Sequence, residues 1–309
     1  MDLRQMRQYV ALAEELHFRN AAKRLNMEQA PLSQAIKRLE QELDVQLFDR
    51  SQRSVALTDA GRVFYAEARR MLTHAELMRK LTQREAVKIP EIRMSFIGPA
   101  LYRVLPDMLM RYRAIAPDVH VRLLERPSPE QMRGLQAGDY DISFVTSYGT
   151  APGSGTESLT VERAGFIAAV PADWPLGANG SIGLAELAEQ PFIRPPQQYS
   201  VHADHALDMI FKQLGLMPHV VQEATQTNTS LALVGSGLGC SLVMATAQLS
   251  QPRNVRFLRI LDDIHNARWE LLMSWHAGHV SKRAASFVEF AKQYVADNPH
   301  LLDPTTPIL

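Results

Sequence analysis

The sequence predicts a mixed α/β chain, with a winged helix-turn-helix at the N-terminus and two α/β lobes behind it. Three observations predict this. Apolar residues recur at helical spacing through residues 3–40, in short blocks separated by polar breaks. One striped segment then runs from Asp59 to about Glu85 without a proline. Beyond it, short β-branched runs alternate with helical segments, the order of a helix-covered sheet.

Leu3, Met6, Val10, Leu12 and Ala13 share a face, which predicts a helix from about Leu3 to Glu15. His17-Phe18 breaks it. Asn20 to Leu25 predicts a short second helix, whose Ala21-Ala22 pair lets another helix cross closely. Asn26-Met27 fits a tight turn. Ala30 to Glu40 predicts a third helix, apolar at Leu32, Ile36 and Leu39 and polar at Ser33, Gln34, Lys37 and Arg38. Pro31 must fall in its first turn, where a missing N–H has no helical partner. Two short helices joined by a brief turn, the second basic on its outer face, form the helix-turn-helix pattern. On that reading Gln29, Ser33 and Gln34 are candidates for base edges in the major groove of duplex DNA. Lys37 and Arg38 are candidates for phosphates. Glu28 suits the helix dipole but opposes phosphates, unless it accepts from a cytosine amine.

Leu43 to Arg50 returns apolar groups to the core. Ser51 to Ser54 is a polar turn, and Val55-Ala56-Leu57 reads as a strand. Arg50 and Arg53 flank this ribbon, a basic wing suited to the DNA backbone or minor groove. Thr58 is a good N-cap for the long helix, and Gly61 allows close approach in its first turn. Phe64, Ala68, Met71, Ala75 and Met78 alternate at spacings of four and three, an a/d seam broadened by Leu72 and Leu81. A helix of roughly 40 Å with such a seam needs a partner, so a homodimer or a dimer of dimers is expected.

In the remainder, Glu91 to Ile97, Val119 to Leu123 and Asp141 to Val145 read as strands. Between them lie helices from Leu105 to Tyr112 and from Ser128, an N-cap followed by proline, to near Gly138. This order implies a mostly parallel sheet. A second such unit follows, with strands at 164–170, 220–223 and 241–244 and helices at 203–214 and 229–234. Trp269 to Trp275 reads as a strand returning to the first lobe, and Ser281 to Asn298 as a closing helix. Two such lobes make a hinged cleft.

The chain has 309 residues, 46% hydrophobic and 21% charged, with zero net charge. The zero hides an asymmetry: residues 1–90 hold 16 Lys and Arg against 12 Asp and Glu, and the rest 17 against 21. The basic excess lies where DNA would be bound. No stretch is apolar enough to span a bilayer, and the charged start lacks a signal-peptide core, so a cytoplasmic protein with no membrane partner is expected. A single cysteine, Cys240, excludes an internal disulfide and sits in an apolar strand, where it is expected to be inert. His202 and His205 are three apart with no third ligand, so no metal is expected, and no cofactor either. An enzyme is disfavoured: there is no serine elbow or phosphate loop, and Gly235-Ser236-Gly237-Leu238-Gly239 precedes a strand instead of opening a helix. A pure binding module would leave the wing, the basic helix and the seam unexplained.

Ala21-Ala22-Lys23-Arg24-Leu25, Gln29, Leu32-Ser33, Ile36, Leu39-Glu40, Leu43 to Arg50 and Leu57 to Gly61 resemble the DNA-binding region of LysR-type transcriptional regulators. Phe96-Ile97-Gly98 with Leu105-Pro106, Leu135 to Asp141, Pro191-Phe192-Ile193 and Leu233 to Gly239 are similar to their effector domain. The family usually has serine or threonine where Arg19 and Glu28 stand, and proline then alanine where Ala30 and Pro31 stand. The resemblance implies a DNA-binding domain at 1–58, a linker and dimerisation helix at 59–89, and an effector domain at 90–309. That domain is two periplasmic-binding-protein-like lobes, lobe I about 90–162 and 266–309, lobe II about 163–265. It further implies a regulator, more an activator than a repressor, with RNA polymerase as a partner.

A small-molecule effector is expected between the lobes. Pro99, Ala100, Leu101 and Tyr102 follow the first strand, where backbone N–H groups can hold a carboxylate. The family often has serine or threonine here. Thr146 and Ser147 end another strand, Thr227 and Asn228 precede a helix of the second lobe, and Arg194 and His202 are polar walls. Arg103 is expected to face solvent. Apolar Leu101 and Tyr102 beside backbone donors point to an organic acid, with aromatic acids among the candidates.

Overall fold

The computed structural model describes residues 1–49, 55–86, 91–147, 155–177, 179–196, 207, 209–264, 269–278 and 280–304. The chain divides into two compact units, Met1–Lys88 and Ile89–Leu309.

In the first unit, α1 (Leu3–Glu15) begins with a reciprocal cap: the Asp2 side chain accepts from the Gln5 N–H, and the Gln5 side chain accepts from the Asp2 N–H. His17, expected only as a break, is the N-cap of α2 (Phe18–Arg24), its Nδ1 accepting from the Asn20 N–H at 3.4 Å. Asn26 makes the turn at φ 50°. Then α3 (Gln29–Leu43) places Pro31 in its first turn. Ala21 and Ala22 are buried, which brings α2 against its neighbours. Leu32, Ile36 and Leu39 of α3 join Met6, Tyr9 and Leu12 of α1 in one core. The wing is an antiparallel pair, β1 (Phe48–Asp49) with β2 (Ala56–Leu57). Glu40 holds it to α3, accepting from the N–H groups of Leu47 and Phe48 at 3.0 and 3.1 Å.

Thr58 caps α4 (Asp59–Ala86), accepting from the Gly61 N–H at 2.9 Å. The expected seam divides in two. Phe64 packs edge-on against Tyr9 at 4.8 Å, and Ala68 lies in the same core, so these positions serve the unit's own packing. Met71 and Met78 stay exposed, whereas Leu77, outside the seam pattern, is buried.

The second unit holds a five-stranded sheet of β3 (Glu91–Phe96), β4 (His120–Glu125), β5 (Ile142–Ser147), β6 (Thr156–Ala164) and β13 (Trp269–His276), ordered β4-β3-β5-β13-β6. Its helices are α5 (Val104–Ile115) and α6 (Ser128–Gln136). A four-stranded sheet combines β7 (Phe166–Pro171), β8 (Ser181–Ile182), β11 (Ser241–Met244) and β12 (Val255–Ile260), ordered β11-β7-β12-β8. Two further strands pair in parallel, β9 (Pro191–Arg194) and β10 (His219–Glu223). The remaining helices are α7 (Leu184–Ala188), α8 (Thr227–Gly235) and α9 (Lys282–Asp297).

The sheets are mixed, not mostly parallel as expected. β3 runs parallel to β4 and β5, but β13 is antiparallel to β5 and β6, and β7 is antiparallel to β11 and β12. The reason is the double crossing. β6 leads through Gly165 into β7 of the other sheet, and β13 brings the chain back, so the two crossing strands oppose each other. Ser128 also differs from expectation. Pro127 is the N-cap of α6, and the Ser128 hydroxyl instead accepts from the Thr146 N–H at 3.2 Å. Gln131, three residues on, is buried and bridges Ser95 and the Arg126 carbonyl. Cys240 is fully buried, and burial pushes its thiol up to about 12, consistent with an inert side chain.

Candidate functional site

The outer face of α3 carries two adjacent rows one turn apart, Gln29-Ser33-Lys37 and Ala30-Gln34-Arg38. All but Ser33, which is half-buried, are exposed, opposite the buried Leu32, Ile36 and Leu39. A helix so mounted presents amides and a hydroxyl first and cations behind them. That suits insertion into a groove about 12 Å wide with phosphates along its rims. The expected wing cations Arg50 and Arg53 lie outside the described residues.

In the second unit the chain leaves β3 through a single 3-10 turn, Gly98–Leu101. Pro99 and Ala100 are buried, and the N–H groups of Ala100 and Tyr102 donate to Ile97 and Pro99 carbonyls at 3.0 and 3.1 Å. Those two expected carboxylate donors are therefore already used by the turn. Leu101 is exposed. The Tyr102 hydroxyl donates to Asn228 Oδ1 at 2.7 Å, a contact spanning 126 residues. Asn228 stands in the first turn of α8, so the bond ties the turn after β3 to the second lobe. Burial, with the nearby Glu125 carboxylate, raises the Tyr102 pKa and keeps it a donor.

The other expected residues take no part in this bond. Thr227 opens α8, its hydroxyl 3.9 Å from Met244 Sδ. Thr146 and Ser147 end β5, and the Thr146 hydroxyl is buried with no hydrogen-bond partner among the described residues. Arg194 ends β9, paired in register with Glu223. His202 lies outside the described residues.

Two features escaped the sequence reading, the Arg103–Glu162 ion pair and Glu125. Arg103, expected to face solvent, donates through Nε and Nη2 to Glu162 Oε1 at 2.8 Å. Glu162 is fully buried on β6, and burial raises its carboxyl to about 7 against the pull of Arg103. The pair ties the turn carrying Tyr102 to a strand that crosses between lobes. Glu125 is the other: its Oε1 would lie 3.2 Å from a Cβ placed on Gly98. The signal was Gly98 itself, a strand-end glycine whose Cβ would crowd the tip of the Glu125 side chain.

Replacing Tyr102 with phenylalanine is expected to loosen this bridge. Losing one hydrogen bond of about 1 kcal/mol should raise amide exchange in residues 98–102 and the first turn of α8 roughly fivefold at most. Hydrogen–deuterium exchange reads this directly, and unchanged exchange in both segments would show that the bond does not hold them together.

Comparison with known proteins places the two units. Residues 3–62 match the family model of the bacterial regulatory helix-turn-helix proteins of the lysR family, and residues 87–296 match the LysR substrate binding domain. The chain is 34% identical to the uncharacterized HTH-type transcriptional regulator YnfL of Escherichia coli, over 92% of this chain and 95% of that one. It is 31% identical to a probable cat1 operon transcriptional activator of Acinetobacter lwoffii, over 98% and 99%. Full-length CbnR, solved in complex with its target DNA, aligns with a TM-score of 0.55 at 26% identity, covering 95% of this chain and 99% of CbnR. Among the described residues no helix is long and apolar enough to cross a membrane. The helix-turn-helix with its wing, the two-lobed unit behind it and these matches agree: the chain belongs to the LysR family, DNA-binding transcriptional regulators with an effector-binding domain.

Proposed function

We propose that this regulator reads a partly two-fold operator with α3 and changes its grip on DNA when a small organic carboxylate binds between the lobes. The observation that carries the DNA reading is the outer face of α3, exposed at Gln29, Gln34, Lys37 and Arg38 over a buried apolar face. Gln29, Ser33 and Gln34 contact base edges, and Lys37, Arg38, Arg50 and Arg53 contact the backbone. Residues 1–58 form the reader and residues 59–89 the linker and dimerisation helix. Exposed Met71 and Met78 on α4 support pairing there, as a homodimer or a dimer of dimers. Activation through RNA polymerase is favoured, supported by the activator name of one relative.

The effector site is the cleft at Tyr102 and Asn228. Leu101, Thr146, Ser147, Arg194 and Thr227, with the buried Pro99 and Ala100, are the residues we assign to it, and His202, outside the described residues, is a further candidate. Aromatic carboxylates are the first class to try, because Leu101 and Tyr102 supply apolar surface beside polar groups. The Tyr102–Asn228 bond is the contact a ligand would strengthen or displace, and so the lever between lobe pose and DNA spacing.

The division of labour on α3 is the test. Gln34→Ala is expected to relax discrimination between operator variants by about 1–3 kcal/mol at one base pair. Lys37→Ala is expected to weaken binding to every DNA alike and to reduce the salt slope by about one. Titrations of both variants against operator and scrambled DNA over a salt series check this. Equal losses with unchanged slopes for both would reject the assignment.

A further inference from the structure

On the reading of α3 as the helix in the groove, we propose that Glu28 selects a cytosine in each operator half-site. Glu28 is the N-cap of α3, in extended backbone at φ −73° and ψ 152°, and its side chain makes no capping hydrogen bond. It is exposed, and it lines a cleft of about 700 Å³ together with Arg19, Lys23, Met27 and Gln29. The carboxylate therefore stands at the leading end of the helix that enters DNA, beside a residue already assigned to base edges. It is not spent on its own helix.

A carboxylate in that place needs a donor. It can only accept hydrogen bonds, and the phosphates on both groove walls repel it. The helix dipole offsets only part of this, because the repulsion from close phosphates in a confined groove is larger. The major groove offers two base donors, cytosine N4 and adenine N6. Adenine N6 lies between two acceptors, its own N7 and the thymine O4, which face the second carboxylate oxygen unfavourably. Cytosine N4 has an acceptor on one side only, the guanine O6, so a carboxylate fits cytosine better. Arg19 and Lys23, exposed on the same cleft, supply the complementary charge. They can hold the neighbouring phosphate, or in the case of Arg19 the guanine O6 and N7 of the same pair, so that the acid is not carried into the groove alone.

The experiment is a selection of randomised duplex half-sites by the full-length protein, run in parallel with Glu28→Gln and Glu28→Ala. The wild type is expected to select one C·G pair per half-site, preferred about tenfold or more over the other pairs. Glu28→Gln, which both donates and accepts, is expected to move that preference to A·T. Glu28→Ala is expected to flatten the position and to tighten binding to unrelated DNA, because a negative charge has gone. A selected operator with the same preferences in all three proteins overturns the Glu28 assignment alone. A wild type that selects no sequence overturns both this assignment and the reading of α3 beneath it.

Discussion

Arg103→Ala is expected to destabilise the effector domain by about 3–5 kcal/mol at pH 8, because it leaves Glu162 buried without its counter-ion. The effect should shrink as pH falls. The Glu162 carboxyl is already raised to about 7 by burial, and losing Arg103 removes the one group that lowers it. A carboxyl whose folded pKa exceeds its unfolded value contributes stability at low pH, which is lost as pH rises through the folded value. The folded domain meets the change by protonating Glu162, which is cheap near pH 5 and increasingly costly above pH 7. The wild type should show a shallower form of the same trend, losing stability between about pH 4.5 and 7. Glu162→Gln should abolish it. Urea denaturation of the three proteins across this pH range checks the sign and the order. A wild-type curve that rises with pH through this window would mean that Arg103 outweighs burial.

Gly61→Ala is the second large effect, and it strikes the other unit. A Cβ at Gly61 would stand 2.1 Å from the Leu47 carbonyl oxygen, a backbone atom that cannot swing away. The same carbonyl accepts the Thr58 N–H at 3.1 Å, and the Gly61 carbonyl accepts the Tyr9 hydroxyl at 2.7 Å, so both sides of the contact are pinned. Alanine gains about 1 kcal/mol of helix propensity over glycine. Overpacking costs about 3 kcal/mol when backbone must move. The clash wins, and a net loss near 2 kcal/mol is expected from the N-terminal unit, with the effector domain unchanged. Calorimetry with an operator-binding assay measures both. An unaltered N-terminal transition would show that the start of α4 shifts freely against the wing.

How much of this was legible in the sequence depended on the range of the interaction. The bounds of α1 were readable because its apolar periodicity and the break at His17-Phe18 are local, whereas its cap at Asp2 came only with the structure. His17 was misread as a mere break because an imidazole N-cap is an uncommon use of that side chain, and only the Nδ1 contact reveals it. The apolar stripe on α4 was legible, but helical spacing cannot say which partner a stripe meets. Phe64 and Ala68 turned out to belong to the core around Tyr9.

In the second unit, local pattern located β3, β5 and β13, but strand direction was misjudged: a mostly parallel sheet was expected, and β13 runs antiparallel to β5 and β6. β6 and β12 were missed, the first because its Thr, Glu, Ser and Arg residues alternate weakly. Tyr102 and Asn228 were each nominated for the site, yet their bond joins positions 126 apart and follows only from the folded chain. Arg103 and Glu162 are the clearest case. Charged residues read singly default to solvent, and burial of one with its partner is a property of the assembled lobes.

The measurement that tests the account most directly is a footprint of the purified full-length protein on the DNA upstream of its own gene, with and without benzoate, hydroxycinnamate and catechol-derived acids. The account predicts protection of a discrete, roughly two-fold symmetric site, whose boundaries or bend shift with at least one acid. A footprint indifferent to every saturating acid would contradict the carboxylate sensor. No protection at any salt concentration would contradict α3 as the reader of that DNA.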